Sequence, residues 1–264
     1  MIEALVTNIR LFLLVFFRIV AMVEVAPLLS STTIPQVAKV GLSLFTAVTV
    51  FPAVLARGYP IPANTVDYVL LVLGEAAIGL LIGFLVLLFF SAFQVAGNFF
   101  SLHMGFSASE VFDPLSQVEI PLMGEFLNLV AMMVFISVSG LGKFLLVGVQ
   151  GSFGALRAVD LVLGRDAIVQ VLVRGLSGLF TSALTISFPI LGTLLLVSIA
   201  MGLLAKASPQ MDVLTMSFPV SIGVSFILLF AALPVLMTAF GRIVDAGYDT
   251  VSGLLSGLAR GAAR

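Results

Sequence analysis

The chain has 264 residues, of which 61% are hydrophobic and only 9% are Asp, Glu, Lys or Arg. A soluble domain carries about 25% charged residues, so these few cannot cover a globule of this size, and the chain reads as an integral membrane protein. Twelve Lys and Arg against thirteen Asp and Glu give a net charge of -1, which excludes a bulk basic footprint for nucleic acid. With no Cys and a single His, thiolate nucleophiles, disulfides and the usual His/Cys metal sites are excluded as well. The composition argues against an enzyme and implies no cofactor.

Charges this scarce make the gaps between them the signal for membrane segments, since a span needs about 20 mostly apolar residues. The first segment, 11–29, is apolar apart from Arg18 and Glu24. A signal peptide needs a basic start, a short apolar core and a small-residue cleavage site. The opening Met1-Ile2-Glu3-Ala4 runs instead into a span of full length, read as retained. Turn punctuation at Ser30-Ser31-Thr32-Thr33-Ile34-Pro35 leads to a second apolar stretch, 40–56, and Arg57-Gly58-Tyr59-Pro60-Ile61-Pro62 leads to a third, 76–109. Residues 126–142 and 144–156 form either one long bent helix or two helices turning at Ser139-Gly140-Leu141-Gly142-Lys143. The first choice gives about six spans and the second one more. Two further apolar stretches, 175–205 and 213–241, are joined by Ala205-Lys206-Ala207-Ser208-Pro209-Gln210. The predicted fold is an all-α, polytopic membrane protein of about six long apolar helices with an irregular loop near 105–122. It is read as a single membrane-embedded domain over 1–264, with an N-terminal part at 1–156 and a C-terminal helical hairpin at 175–243.

Three kinds of feature stand out inside the apolar background. Small residues four apart, which let helix backbones approach, recur at Gly79 and Gly83, Ala92 and Ala96, and Gly253, Gly257 and Gly261. They serve internal helix packing or contacts with other subunits. Arg18, Glu24 and Glu75 each sit among apolar residues, where a charge costs about 2.5–3.5 kcal/mol on insertion scales. Arg18 and Glu24 lie roughly 240° apart around a helix and cannot pair on one face, whereas Arg10 and Arg18 share a face. These charges either meet a polar group of a partner or a water path, or they snorkel or form an internal ion pair such as Arg18 with Glu75. The third feature is the stretch from Ser101 to Pro114, where Gly105 permits a sharp departure from helix and Asp113-Pro114 ends any continuation. Met104, Phe106 and Phe112 make this loop either a hydrophobic constriction or an ordinary connector folded back on the bundle. His103 reads as a hydrogen-bonded structural residue.

At this loop the chain resembles the FliR family, export-gate subunits of the flagellar type III secretion system with counterparts in virulence-type injection systems. Four blocks carry the match. The first is Phe17-Arg18-Ile19-Val20 with Ala26-Pro27-Leu28-Leu29, Ile34-Pro35, Lys39 and Gly41-Leu42; the second is Leu102-His103-Met104-Gly105-Phe106-Ser107 with Asp113-Pro114 and Pro121. The third runs from Phe135 through the glycine turn to Ser152-Phe153, and the fourth is Met201-Gly202-Leu203-Leu204 with Ser208-Pro209-Gln210 and Ser217-Phe218-Pro219-Val220. His103 stands where the family usually has Gln, Asp212 replaces a frequent Asn, and Ser221 falls where Lys is common.

The resemblance implies a non-enzymatic subunit of the flagellar protein export apparatus in the bacterial inner (cytoplasmic) membrane, at the flagellar basal body. It would join FliP and FliQ around a protein-conducting pore, with FlhB at the cytoplasmic mouth and FlhA nearby, and pass unfolded exported proteins while contacting membrane lipids. The loop around Met104, Gly105, Phe106, Phe112, Asp113 and Pro114 would form part of a pore plug, and Lys206, Pro209, Gln210 and Asp212 would lie in a cytoplasmic-side loop. Arg18, Glu24 and Glu75 would make polar contacts within the membrane or between subunits. The competing reading is a small-solute permease that uses those three charges as its binding site, for which the chain shows no convincing internal repeat.

Overall fold

A computed structural model describes residues 2–104, 122–155, 158, 165–208 and 213–261. Helix α1 covers Ile2–Val25, α2 Gln36–Arg57 and α3 Thr65–Met104. Helix α4 covers Leu122–Ser137; after a break come a single turn, α5, at Gly140–Lys143, a π-helix at Phe144–Gly151 and a further turn, α6, at Ser152–Ala155. Two long helices follow, α7 at Arg165–Ala207 and α8 at Val213–Gly261. No strand occurs among the described residues. Among the described residues, five helices are long and apolar enough to cross a membrane, and up to six spans result if the bent α4 pair counts as one.

The predicted turns fall at helix ends. Pro35 stands at the start of α2 with φ -58, where its missing N–H removes nothing a helix needs. Gly58 closes α2 at φ 68, a left-handed conformation, and its N–H donates to the Leu55 carbonyl at 3.2 Å. At the other end of the first connector Leu28 holds φ 62. The chain between α4 and α5 is a sharp bend and not a smooth curve. Ser139 takes the left-handed conformation at φ 55, and the segments Leu122–Ser137 and Gly140–Gly154 meet at 72°.

Helices run well beyond the gaps between charges. Asp67, Glu75, Arg174 and Asp245 all lie inside helices, because an isolated charge does not end a helix; it only has to reach a partner or the surface. The apolar segments within α3, α7 and α8 are 37, 40 and 35 residues long, well above the about 20 that one bilayer crossing requires.

The chain divides into two compact units, Met1–Phe89 with Ser139–Gly175 and Val244–Arg264, and Phe90–Val138 with Leu176–Ile243. In the first, α1 and the start of α3 run in the same direction. Arg10 lies over the Tyr68 ring at 5.5 Å and the Tyr68 hydroxyl donates to the Arg10 carbonyl at 3.0 Å. Two to three turns further along, Gly79 packs against the Arg18 carbonyl and Gly83 against that of Met22, so that a Cβ at either position would meet backbone. The small-residue pair thus serves a crossing within the chain. In the second unit, four rings interlock edge to face: Phe90 with Phe135 at 5.1 Å, Phe90 with Phe240 at 5.4 Å and Phe93 with Phe240 at 4.7 Å. Gly97 and Gly124 form a close helix crossing there, a Cβ on Gly97 reaching 2.5 Å from the Met123 carbonyl.

Outside these cores, large apolar side chains face outward along α2, α7 and α8. Phe188 is 73% exposed and Phe230 83%, which for water would be untenable on this scale.

Candidate functional site

A buried polar cluster lies in the first unit. Arg18 sits in the second half of α1 and Glu75 about three turns into α3, and neither is accessible to solvent. The Arg18 Nε–H donates to Glu75 Oε2 at 2.6 Å, and Nη2 lies 2.5 Å from the same oxygen. Arg18 Nη1 donates to Ser152 Oγ at 3.2 Å, while the Ser152 hydroxyl donates its own proton to the Val149 carbonyl at 2.8 Å. The Phe153 ring covers the guanidinium at 4.0 Å, a cation–π contact in a dry setting.

The second carboxylate oxygen is used as well. Tyr59, in the connector after α2, donates its hydroxyl to Glu75 Oε1. The Ala158 N–H reaches the same oxygen at 3.3 Å and the Tyr59 hydroxyl at 3.4 Å. Burial, and then the neighbouring Glu75 charge, push the Tyr59 hydroxyl well above its ordinary pKa of 10.0, despite the opposing Arg18 cation. Both charges are therefore paired and hydrogen-bonded, which is the condition for tolerating them away from water. Of the two roles open to Arg18 and Glu75, the structure forms the pairing within the chain.

Glu24 is separate from this cluster. It pairs with Lys39 at 3.4 Å, and Lys39, 5% exposed, also donates to the Ser30 carbonyl at 3.3 Å. This pair staples the end of α1 to the start of α2. A third pair, Lys143 with Asp245, is exposed, and nearby the Tyr248 hydroxyl caps the Gly140 carbonyl at 3.2 Å.

Of the loop residues, Met104 is fully buried at the end of α3, while His103 is exposed. Gly105, Phe106, Phe112, Asp113 and Pro114 lie outside the described residues. Lys206 is exposed in the last turn of α7, and Pro209, Gln210 and Asp212 lie outside the described residues. Tyr59, Ser152 and Phe153 were not singled out as partners of the charged pair. Tyr59 carried a usable signal, being one of three Tyr in the chain and set between two turn residues. No group of three or more His, Cys, Asp or Glu among the described residues is placed to hold a metal.

The family described as bacterial export proteins, family 1, matches residues 9–247. That range takes in α1 to the C-terminal half of α8 and every residue of the cluster. The chain belongs to this family, that of the FliR proteins. It is 32% identical to the flagellar biosynthetic protein FliR of Bacillus subtilis (strain 168) over 250 residues, covering 93% of this chain and 94% of the relative. The FliR protein of Borreliella burgdorferi is 32% identical over 75% of this chain and 73% of its own length. The Escherichia coli (strain K12) FliR protein is 24% identical over 91% of each. FliR-family membership and the apolar helices together make this chain a membrane protein of bacterial protein export, a transport component of the flagellar export apparatus.

Proposed function

We propose that the chain is a subunit of the protein-conducting gate of the flagellar export apparatus in the inner membrane, assembled with FliP and FliQ, beside FlhB and FlhA. It acts without catalysis, as a single membrane-embedded unit through which unfolded flagellar proteins pass. The observation that carries this reading is the outward apolar surface of helices much longer than a bilayer crossing. Lipid tails cover about 30 Å, so the remainder of α7 and α8 calls for apolar protein surface. The paired state of Arg18 and Glu75 also weighs against a solute permease, since their charges are spent on one another. Mass analysis of the complex purified from its native membrane tests the reading. Recovery with FliP- and FliQ-like chains is expected; a stable, solute-transporting monomer would overturn it.

The loop after Met104 is proposed as part of the pore plug. Its support is the anchoring of the α3 end, where Phe100 and Met104 are both fully buried, so that the loop leaves from a fixed point. Deleting 106–112 should make the assembled complex leak small ions. Unchanged permeability with assembly intact would remove this assignment.

A further inference from the structure

The π-helix at Phe144–Gly151 is eight residues long, whereas π geometry elsewhere is mostly confined to single-turn bulges. Its burial follows the wide turn: Phe144, Gly148, Val149, Ser152 and Phe153 are buried, and Leu141, Leu146 and Gln150 are exposed. In an ordinary α-helix Phe153 would point about 180° away from Phe144. The wide turn brings both to one side, and there Ser152 meets the edge of the Arg18 guanidinium at 3.2 Å and Phe153 its face at 4.0 Å. The guanidinium is itself fixed by Glu75. Gly148 and Gly151 within the segment and Gly154 just after it lack side chains, which lowers the steric cost of rewinding at those three positions.

We propose that this segment has two registers, wide-turn and α-helical, and that Arg18 is the latch holding the wide-turn register through Ser152 and Phe153. A buried ion pair gains little net stability against apolar residues of similar size, and register is the best-attested use for one. Releasing the two contacts lets the segment rewind, carrying Gly148 away from Ile82 and Met22. Those two side chains lie 3.5 and 3.7 Å from where a Gly148 Cβ would stand.

The chain contains no Cys, so a pair introduced as Ile82→Cys with Gly148→Cys supplies its only thiols, at two positions in side-chain contact in the wide-turn register, and its cross-linking reports that register. In membranes carrying the full export apparatus, mild oxidation should cross-link this pair efficiently. Adding Ser152→Ala and Phe153→Leu should lower the cross-linked fraction several-fold, well beyond what any accompanying fall in the melting temperature of the purified complex accounts for. Ser152→Thr, which keeps the hydroxyl, should leave cross-linking high. An unchanged fraction after both contacts are removed overturns the latch, as does a parent pair that never cross-links. A loss of cross-linking that only tracks a loss of melting temperature overturns it too, because a merely structural contact gives that result.

Discussion

Arg18 and Glu75 are unequal partners in one pair. Glu75 accepts from Arg18, Tyr59 and Ala158, so Glu75→Ala strands a guanidinium with no countercharge in a fully buried site. That loss should cost about 3–5 kcal/mol, read as a fall in the melting temperature of the complex in detergent. The double change Arg18→Leu with Glu75→Leu removes both charges and should cost less than Glu75→Ala; an equal or larger cost would show that the pair itself, and not its imbalance, is what matters. Tyr59 adds a dependence on pH. Its folded pKa is raised, so the neutral phenol is favoured by folding, and that contribution is complete below pH 10 and falls as pH rises above it. Tyr59→Phe should flatten this alkaline decline in melting temperature, and an unaltered decline would assign it to other groups. The cost of isolated charges in an apolar run flagged Arg18 and Glu75 from the sequence. Their pairing was one of two open alternatives, because residues 57 positions apart meet only through the crossing of α1 and α3.

That crossing is set by glycine. At Gly79 a methyl group would run into the Arg18 carbonyl, an atom held in the α1 backbone that cannot swing aside. Gly79→Ala should therefore destabilise the first unit by about 1–3 kcal/mol, whereas Gly202→Ala in α7, with nothing within 4 Å of its Cβ, should be neutral or gain up to about 1 kcal/mol from helix propensity. Comparable melting of both variants would refute close packing at Gly79. Element positions were largely legible, since Pro35, Gly58 and Ser208 mark ends that local chemistry dictates. Element lengths were not. Glu75 bounds an apolar stretch in the sequence, but its tertiary partner lets it stay inside a helix. The π-helix was also hidden, because Phe144–Gly151 is apolar on every side except at Gln150 and shows no period from which a turn width could be read.

At the scale of the whole molecule the question is what covers the apolar exterior, and hydropathy treats lipid and protein alike. Helix length separates them. Leu176 and Leu204 are both exposed on α7 and stand about 42 Å apart along the helix at 1.5 Å per residue. A tilt of about 40°, the upper end for membrane helices, still leaves about 32 Å between them along the bilayer normal, against about 30 Å of hydrocarbon. A bilayer alone thus cannot enclose both positions, and one of them would tolerate a short acidic side chain in water or among headgroups. Partner helices can enclose both. Leu176→Asp and Leu204→Asp, introduced singly, should each reduce several-fold the amount of this chain recovered with its co-purifying export components, while Lys206→Ala, at an already exposed cation, should not. If either Asp variant assembles as well as the parent, lipid suffices as the cover of α7 and the case for an extended protein interface along it fails.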